Sequence, residues 1–327
     1  MRLSVLDQSP VSEGSSPSEA LRNSIQLAIR ADELGYYRYW VSEHHGMHGL
    51  AGSSPEIMIG HIAENTQSIR VGSGGVMLSH YSPLKVAENF KVLEALHPNR
   101  IDLGLGRAPG SDARTAHAFR STGNSSGSEN YLESVLALRQ LLNGKTIQSG
   151  PLSGVEALPS TPSSPEIWLL ASSDGSASVA AHSGLPLSWA HFINGNGAGI
   201  CDLYREHYSP SEQHPEPAVS VGVSVLCADS DDEAIQMLSS LESWRSSGLR
   251  GPIPDTSNTN NRNEESNVLR LQSPSRPMVI GTPEIVKDEL CAIAEAYCAE
   301  ELLLVTICFS HRQRLRSYEL IAEAFAN

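Results

Sequence analysis

The chain has 327 residues and a formal net charge of −14, because 37 acidic side chains outnumber 23 Lys and Arg. No basic run stands out, which argues against a nucleic acid or an anionic membrane surface as a partner. The five cysteines form no CxxC motif, so we expect reduced thiols and a cytoplasmic protein. No apolar run reaches membrane-spanning length, and we expect the protein to carry no targeting segment.

Short apolar runs typical of β-strands alternate with helical patterns from end to end, which indicates repeated βα units and a parallel sheet. A helix is predicted after each run, and the first of them starts with the capping pattern Ser16-Pro17-Ser18-Glu19. The predicted strands are residues 3–6, 37–41, 69–72, 101–105, 167–171, 186–190, 219–227 and 301–307. Eight such units predict one α/β domain over residues 1–327, a (β/α)₈ TIM barrel with loop insertions.

Two stretches interrupt this alternation, and we interpret both as insertions. Residues 143–165 carry no periodic pattern, and residues 246–277 form a run rich in Ser, Asn and Pro. The second lies where loops carry function in barrels. It is therefore either a mobile lid over the barrel mouth or a disordered surface insertion.

The first candidate for chemistry is the run Ser42-Glu43-His44-His45-Gly46-Met47-His48, directly after the second strand. Active sites of parallel barrels lie at this end of the strands, and histidine titrates near neutral pH. Acid–base catalysis and a structural hydrogen-bonded cluster both agree with the run. A metal site is disfavoured, because adjacent histidines on an extended chain point in opposite directions.

Glycines interrupt the third and fourth strands at the same end. Gly74 and Gly75 leave room for a flat aromatic ligand, although a simple tight bend is the alternative. Arg107 lies in the run Gly104-Leu105-Gly106-Arg107-Ala108-Pro109-Gly110, where it suits a phosphate unless it forms a surface salt bridge. The spacing of this run excludes a Walker A loop.

After the fifth strand, the run Ala171-Ser172-Ser173-Asp174-Gly175-Ser176 opens a predicted helix. Helix N-termini offer free N–H groups and the positive end of a dipole, which together bind anions. Ordinary capping accounts for one serine but less well for three. We expect Arg107, on the neighbouring loop, to complete an anion site there.

At this level of detail the sequence resembles the bacterial-luciferase-like flavin-dependent monooxygenases, and among them the single-chain luciferase-family oxidoreductases. The resemblance extends over nearly the whole chain. It rests on YWVSEHH at 39–45, IRVGSGGVML at 69–78, PLKVAENF at 83–90, LEALHPNRIDLGLGRAPG at 93–110, GLP at 184–186 and VIGTPE at 279–284.

The resemblance implies a bacterial enzyme that binds FMN at the C-terminal ends of the barrel strands. It further implies that a separate NAD(P)H:flavin reductase supplies the flavin as FMNH₂. With O₂, the enzyme would then oxygenate a small organic substrate through a C4a-(hydro)peroxyflavin. The resemblance also implies a homodimer that forms through the helices of the second and third βα units.

Site residues follow from the same resemblance, position by position. His44 matches the histidine that handles protons beside the flavin, and Gly74-Gly75 matches a non-prolyl cis peptide against the ring. The phosphate site corresponds to Arg107, Ser173 and Ser176, while the backbone of Ser172 and the side chain of His191 fall near the ring.

The sequence departs from the family pattern at two places, and it agrees with two other functions. Ser79-His80-Tyr81 differs from the Pro-Asn common in relatives, and residues 119–130 hold no clear counterpart of a second phosphate arginine. An F420-dependent hydride-transfer enzyme would share the barrel. A non-catalytic flavin-binding or redox-sensing protein would share the cofactor site.

Overall fold

Eight parallel strands close into a barrel in the computed structural model, which describes residues 1–108, 110–121, 130–257 and 277–326. β1 pairs with β2 and β9, and β7 pairs with β6 and β9, so the ring runs from β1 to β7 and returns through β9. The predicted (β/α)₈ barrel is confirmed. The strands are β1 Arg2–Asp7, β2 Arg38–Val41, β3 Arg70–Met77, β4 Ile101–Gly106, β5 Glu166–Ala171, β6 Leu187–Ala190, β7 Val219–Cys227, β8 Val279–Gly281 and β9 Glu301–Val305.

Helices lie between the strands and cover the outside of the barrel. Ser16 caps α1, because its hydroxyl accepts a hydrogen bond from the N–H of Glu19 at 3.2 Å. Within the described ranges, no helix is both long and apolar enough to cross a lipid bilayer. The helices are α1 Pro17–Glu33, α2 Pro55–Asn65, α3 Pro83–Leu96, α4 Ala113–Ser121, α5 Tyr131–Leu142, α6 Asp174–Ser183, α7 Ala198–Glu206, α8 Asp231–Ser246, α9 Pro283–Ala296 and α10 His311–Ala326.

Two strand predictions need correction. β8 was not counted, because three residues are too few to show an alternating pattern; it pairs with the end of β7, outside the closed ring. β3 was predicted to end at residue 72 but continues through Met77. Its register with β4 shifts between Ser73 and Val76, because glycines within a strand permit a bulge without ending it.

A buried ion cluster closes the N-terminal end of the barrel. The guanidinium of Arg38 lies 2.9 Å from a carboxylate oxygen of Asp102 and 2.7 Å from one of Glu301. It also stacks on the rings of Trp40 and Trp168. Because these side chains fill the barrel at this end, a ligand has to enter at the opposite, C-terminal end.

The two predicted insertions differ in the structure. Residues 143–165 contain neither helix nor strand. In the second segment, α8 ends at Ser246, and the chain then runs beside the loop after β1. There the Ile253 N–H donates to the carbonyl of Val11 at 2.8 Å. Residues 258–276, which carry most of the predicted lid, lie outside the described residues.

Candidate active site

A cavity of about 300 Å³ opens at the C-terminal end of the barrel. Its walls are the strand ends and following loops of β1 to β7, from Leu6 to Gly222. Active sites of parallel barrels lie at this end. Seven of the eight predicted site residues line the cavity, namely His44, Gly74, Gly75, Arg107, Ser172, Ser173 and Ser176.

Arg107, the first residue after β4, lies against the first turn of α6. A Cβ on Gly175 would stand 3.2 Å from Nη1 and 3.6 Å from Nη2 of the guanidinium. In the part of the chain that the structure describes, no side chain bonds to this guanidinium, and the backbone carbonyl of Arg107 accepts from Ser79 Oγ at 3.2 Å. The N–H donors of Arg107 are therefore available to a ligand.

Three serines extend this donor group. Ser173 is the N-cap of α6, yet its hydroxyl makes no capping hydrogen bond. Ser176 lies buried in the first turn, and Ser172 precedes the cap. The first N–H groups of a helix lack partners within it and carry a partial positive charge. Together with Arg107, these groups form a candidate anion site at one end of the cavity, where the N–H of Gly175 also donates to the carboxylate of Asp174 at 2.8 Å.

Glycine backbone forms part of the cavity surface next to β3 and β4. A cis peptide joins Gly74 and Gly75, as the resemblance implies. A Cβ on Gly74 would overlap Leu6 Cδ1, and one on Gly75 would stand 2.7 Å from the carbonyl oxygen of Gly104. Side chains are therefore excluded here unless their neighbours shift. With Gly106 beside them, the glycines leave a surface that suits the face of a planar ligand.

His44 lies in the loop after β2, with its ring partly buried in the cavity wall. The hydroxyl of Ser42 is 3.1 Å from its Nδ1. Burial lowers the pKa of His44 to about 4; the charge of Glu43 acts in the opposite direction, and His45 acts with burial. The ring is therefore neutral near pH 7 and able to accept a proton.

Glu43 forms a second, buried cluster behind the cavity wall. One carboxylate oxygen lies 2.7 Å from His45 Nε2 and accepts from the Tyr81 hydroxyl at 2.7 Å. The other accepts from the N–H of Met77 at 3.0 Å. His44 thus lines the cavity, whereas His45 belongs to the hydrogen-bonded cluster around Glu43. No group of three His, Cys, Asp or Glu side chains is placed to hold a metal ion among the described residues.

His191, the eighth predicted residue, is not among the cavity-lining residues. Its Nδ1 lies 3.0 Å from the hydroxyl of Tyr297, which also accepts a hydrogen bond from the N–H of Gly197. The loop after β6 contributes Phe192 and Ile193 to the cavity instead.

Sequence reasoning missed part of the cavity wall. The missed residues all lie at or just beyond the end of a strand. This position was the one sequence feature that could have indicated them. Periodicity does not reach into loops, so the direction of these side chains was not predictable. They include Gln8, Met77, Trp189, Phe192 and Ile193.

Solved structures with this fold differ in cofactor. The oxygenating constituent of 3,6-diketocamphane monooxygenase, in complex with FMN, is 18% identical with a TM-score of 0.72, over 99% of this chain and 97% of that one. An F420-dependent secondary alcohol dehydrogenase is 13% identical with a TM-score of 0.68, over 99% and 98%. At these identities they show the fold alone.

Other relatives are more similar. The crystal structure of apo-MsnO8 is 38% identical with a TM-score of 0.85, over 99% of this chain and 97% of that one. The uncharacterized protein YwcH of Bacillus subtilis (strain 168) is 43% identical over 99% of both chains. The N-acetyl-S-alkylcysteine monooxygenase of the same strain is 31% identical over 99% of this chain and 98% of its own. The luciferase-like monooxygenase family matches residues 1–300, and the chain therefore belongs to that family.

Proposed function

We propose that this protein is a flavin-dependent monooxygenase that uses reduced FMN and O₂ to oxygenate a small organic substrate. One observation carries the proposal: the Arg107 guanidinium lies at the N-terminus of α6, in the same cavity as the flat glycine surface of Gly74 and Gly75. A phosphate and a planar ring are the two recognition features of FMN. When bound, reduced FMN supplies the electrons with which O₂ is activated.

The residues present fit FMN in charge and in shape. The guanidinium of Arg107, the hydroxyls of Ser173 and Ser176 and the helix N–H groups suit a dianionic phosphate. Such a local site is needed in a protein with a net charge of −14. The ring would lie against the glycines, while Phe192 and Ile193 add apolar surface to the cavity.

His44 is the proton-handling residue in this proposal. Its ring is neutral near pH 7, because burial lowers its pKa to about 4. The Ser42 hydroxyl, 3.1 Å from Nδ1, holds the orientation of the ring. His44 then accepts a proton from the reacting group and returns it later in the cycle, which is general acid–base catalysis.

The deazaflavin F420 is the second candidate cofactor, because an F420-dependent dehydrogenase shares this fold. F420 carries its phosphate as a diester with a single negative charge, whereas FMN ends in a phosphate monoester. A guanidinium that has no side-chain partner among the described residues, together with serine and helix N–H donors, favours the more highly charged group. A flavin sensor without turnover would use the same contacts, so only its reaction with O₂ distinguishes it.

The partners and location are also proposals. A separate NAD(P)H:flavin reductase supplies the reduced flavin. Since a relative 31% identical is named N-acetyl-S-alkylcysteine monooxygenase, an N-acetyl-S-alkylcysteine is the first substrate to try. All five cysteines are free, which supports a reducing, cytoplasmic location.

We further propose a homodimer through α2 and α3. These neighbouring helices expose large apolar side chains, with Ile57 71% exposed on α2 and Leu96 66% exposed on α3. Val92 adds to the same set on α3. Large apolar side chains exposed on adjacent helices are typical of protein–protein interfaces.

The test of the cofactor and of the reaction is an anaerobic titration with FMN, FMNH₂ and F420, followed by rapid mixing with O₂ under absorbance detection. We expect FMNH₂ to bind and its reoxidation to proceed in separate phases, unlike that of free FMNH₂. Binding of F420 alone would establish the second candidate. A protein that binds no flavin would contradict the proposal, and bound FMN that resists both reduction and O₂ would indicate a sensor.

A further inference from the structure

Gln8, the first residue after β1, lines the cavity but has no role in the function proposed above. Across the described ranges, its side-chain amide makes no hydrogen bond. A primary amide offers two N–H donors and a carbonyl acceptor. A ligand that displaces water from this wall has to bond to these groups, since leaving them unpaired is costly.

The residue before Gln8 is held firmly. Asp7 is fully buried, its carboxylate pairs with Arg314 of α10, and it accepts from the hydroxyl of Tyr39 at 2.6 Å. Burial alone would raise the pKa of Asp7, but Arg314 and the hydrogen bonds keep it below its ordinary value. The carboxylate is therefore ionised at neutral pH, and the ion pair with Arg314 persists.

The residue after Gln8 is held as firmly. Ser9 has a φ of +49°, in the left-handed region that is unfavourable for a residue with a Cβ. Its N–H donates to Asp7 Oδ1 at 2.7 Å, its hydroxyl accepts from Ser24 at 2.9 Å, and its carbonyl accepts from the N–H of Ala51 at 2.9 Å. The turn between these residues places Gln8 in the cavity wall.

Gln8 lies across the barrel mouth from the anion site. In the closed ring of eight strands, β1 is four strands away from β5, so the two strands are opposite each other. Arg107 and the start of α6 follow β4 and β5, whereas Gln8 follows β1. A planar ligand that is anchored by its phosphate at Arg107 and lies over Gly74 and Gly75 would therefore extend towards Gln8.

We propose that Gln8 forms hydrogen bonds to the polar edge of the flavin ring, where adjacent C=O and N–H groups match the donor and acceptor of an amide. The inference rests on the proposed function for the presence of a flavin. It applies equally to F420, because a deazaflavin ring carries the same edge. Gln8 thus recognises the ring, and Arg107 recognises the phosphate.

Fluorescence titrations with FMN and with riboflavin test this assignment. Gln8→Leu should weaken both ligands by the same factor, about tenfold, because the lost contact is to the ring that they share. Gln8→Glu keeps the size of the side chain but removes its N–H donors, and should weaken both at least as much. The control Gln236→Leu, at an exposed position of α8, should change neither.

Unchanged affinity for both flavins in Gln8→Leu would overturn the assignment. It would indicate that the Gln8 amide binds the organic substrate instead. A loss confined to FMN would overturn it as well, because riboflavin lacks only the phosphate. If the unaltered protein bound no flavin, the proposed function would have failed instead. Matching melting curves exclude misfolding, and Gln8→Asn, whose amide is one methylene shorter, provides a second variant with the same expected loss for both ligands.

Discussion

The guanidinium of Arg107 lies over the first turn of α6, with Nη1 3.2 Å from the place that a Cβ on Gly175 would take. Gly175→Ala should therefore push the guanidinium aside and weaken FMN binding by about three- to tenfold, the loss expected when a charged hydrogen bond is misaligned. The helix itself should gain up to about 1 kcal/mol, since alanine favours helix more than glycine does. Titration with FMN and a melting curve measure the two effects.

Gly199 provides the matched control. It is also the second residue of its helix, α7, but a Cβ there would meet no atom within 4 Å. Gly199→Ala should stabilise the protein by a similar amount and leave FMN binding unchanged. If both substitutions changed FMN affinity equally, the absence of a Cβ at Gly175 would not be what positions Arg107.

Replacement of Arg107 by alanine should weaken FMN by about ten- to a hundredfold, because charged hydrogen bonds to the phosphate are lost. Riboflavin, which lacks the phosphate, should bind with unchanged affinity. Parallel calorimetric titrations with the two ligands measure the difference. Equal losses for both would show that Arg107 contacts the ring or supports the fold.

His44 should make the stability of the ligand-free protein depend on pH. Its folded-state pKa of about 4 lies below the ordinary value of 6.5, so the unfolded chain binds a proton that the folded chain does not. The free energy of unfolding is therefore not reduced by His44 above pH 6.5, and it decreases as the pH falls towards 4. The loss at pH 5 amounts to roughly 2 kcal/mol.

Urea unfolding at pH 7.5 and pH 5 measures this loss. The difference between the two pH values should shrink in His44→Asn and persist in His48→Asn, a control at an exposed position of the same loop. If the stability difference between the two pH values were unchanged in His44→Asn, groups other than His44 would cause the acid sensitivity.

Glu43→Gln should change the pH dependence of turnover through His44. The charge of Glu43 raises the pKa of His44, so its removal should move the acidic limb of the kcat/KM profile to lower pH. Tyr81→Phe removes one hydrogen bond to the same carboxylate and keeps the charge, so the limb should stay in place. A shift of the same size in both variants would indicate a change of structure instead.

The proposed homodimer predicts that Ile57→Glu and Leu96→Glu convert the protein to a monomer, because each places a charge in an apolar contact. Sedimentation velocity measures the oligomeric state. Leu203→Glu, 52% exposed on α7, is the control and should leave the dimer intact. A monomeric unaltered protein would contradict the interface directly.

Much of the candidate site was predictable from local sequence. Arg107, Ser173 and Ser176 were identified because glycines next to a strand end and serines at a helix start are recognisable without tertiary structure. Their joint position in one cavity was also expected, since parallel strands end on one side. The position of Gln8 in the cavity wall and that of His191 outside it were not predictable, because long-range contacts set the direction of loop side chains.

The sequence by itself determined the eight strands of the ring, the helix starts and the end of the barrel that carries the chemistry. These depend on periodicity, capping and chain direction, which act over a few residues. Only the tertiary structure decided how Arg38 pairs with Asp102 and Glu301, and how Asp7 with Arg314 holds the turn at Gln8. Those partners are far apart in the chain, and the closure of the barrel brings them together.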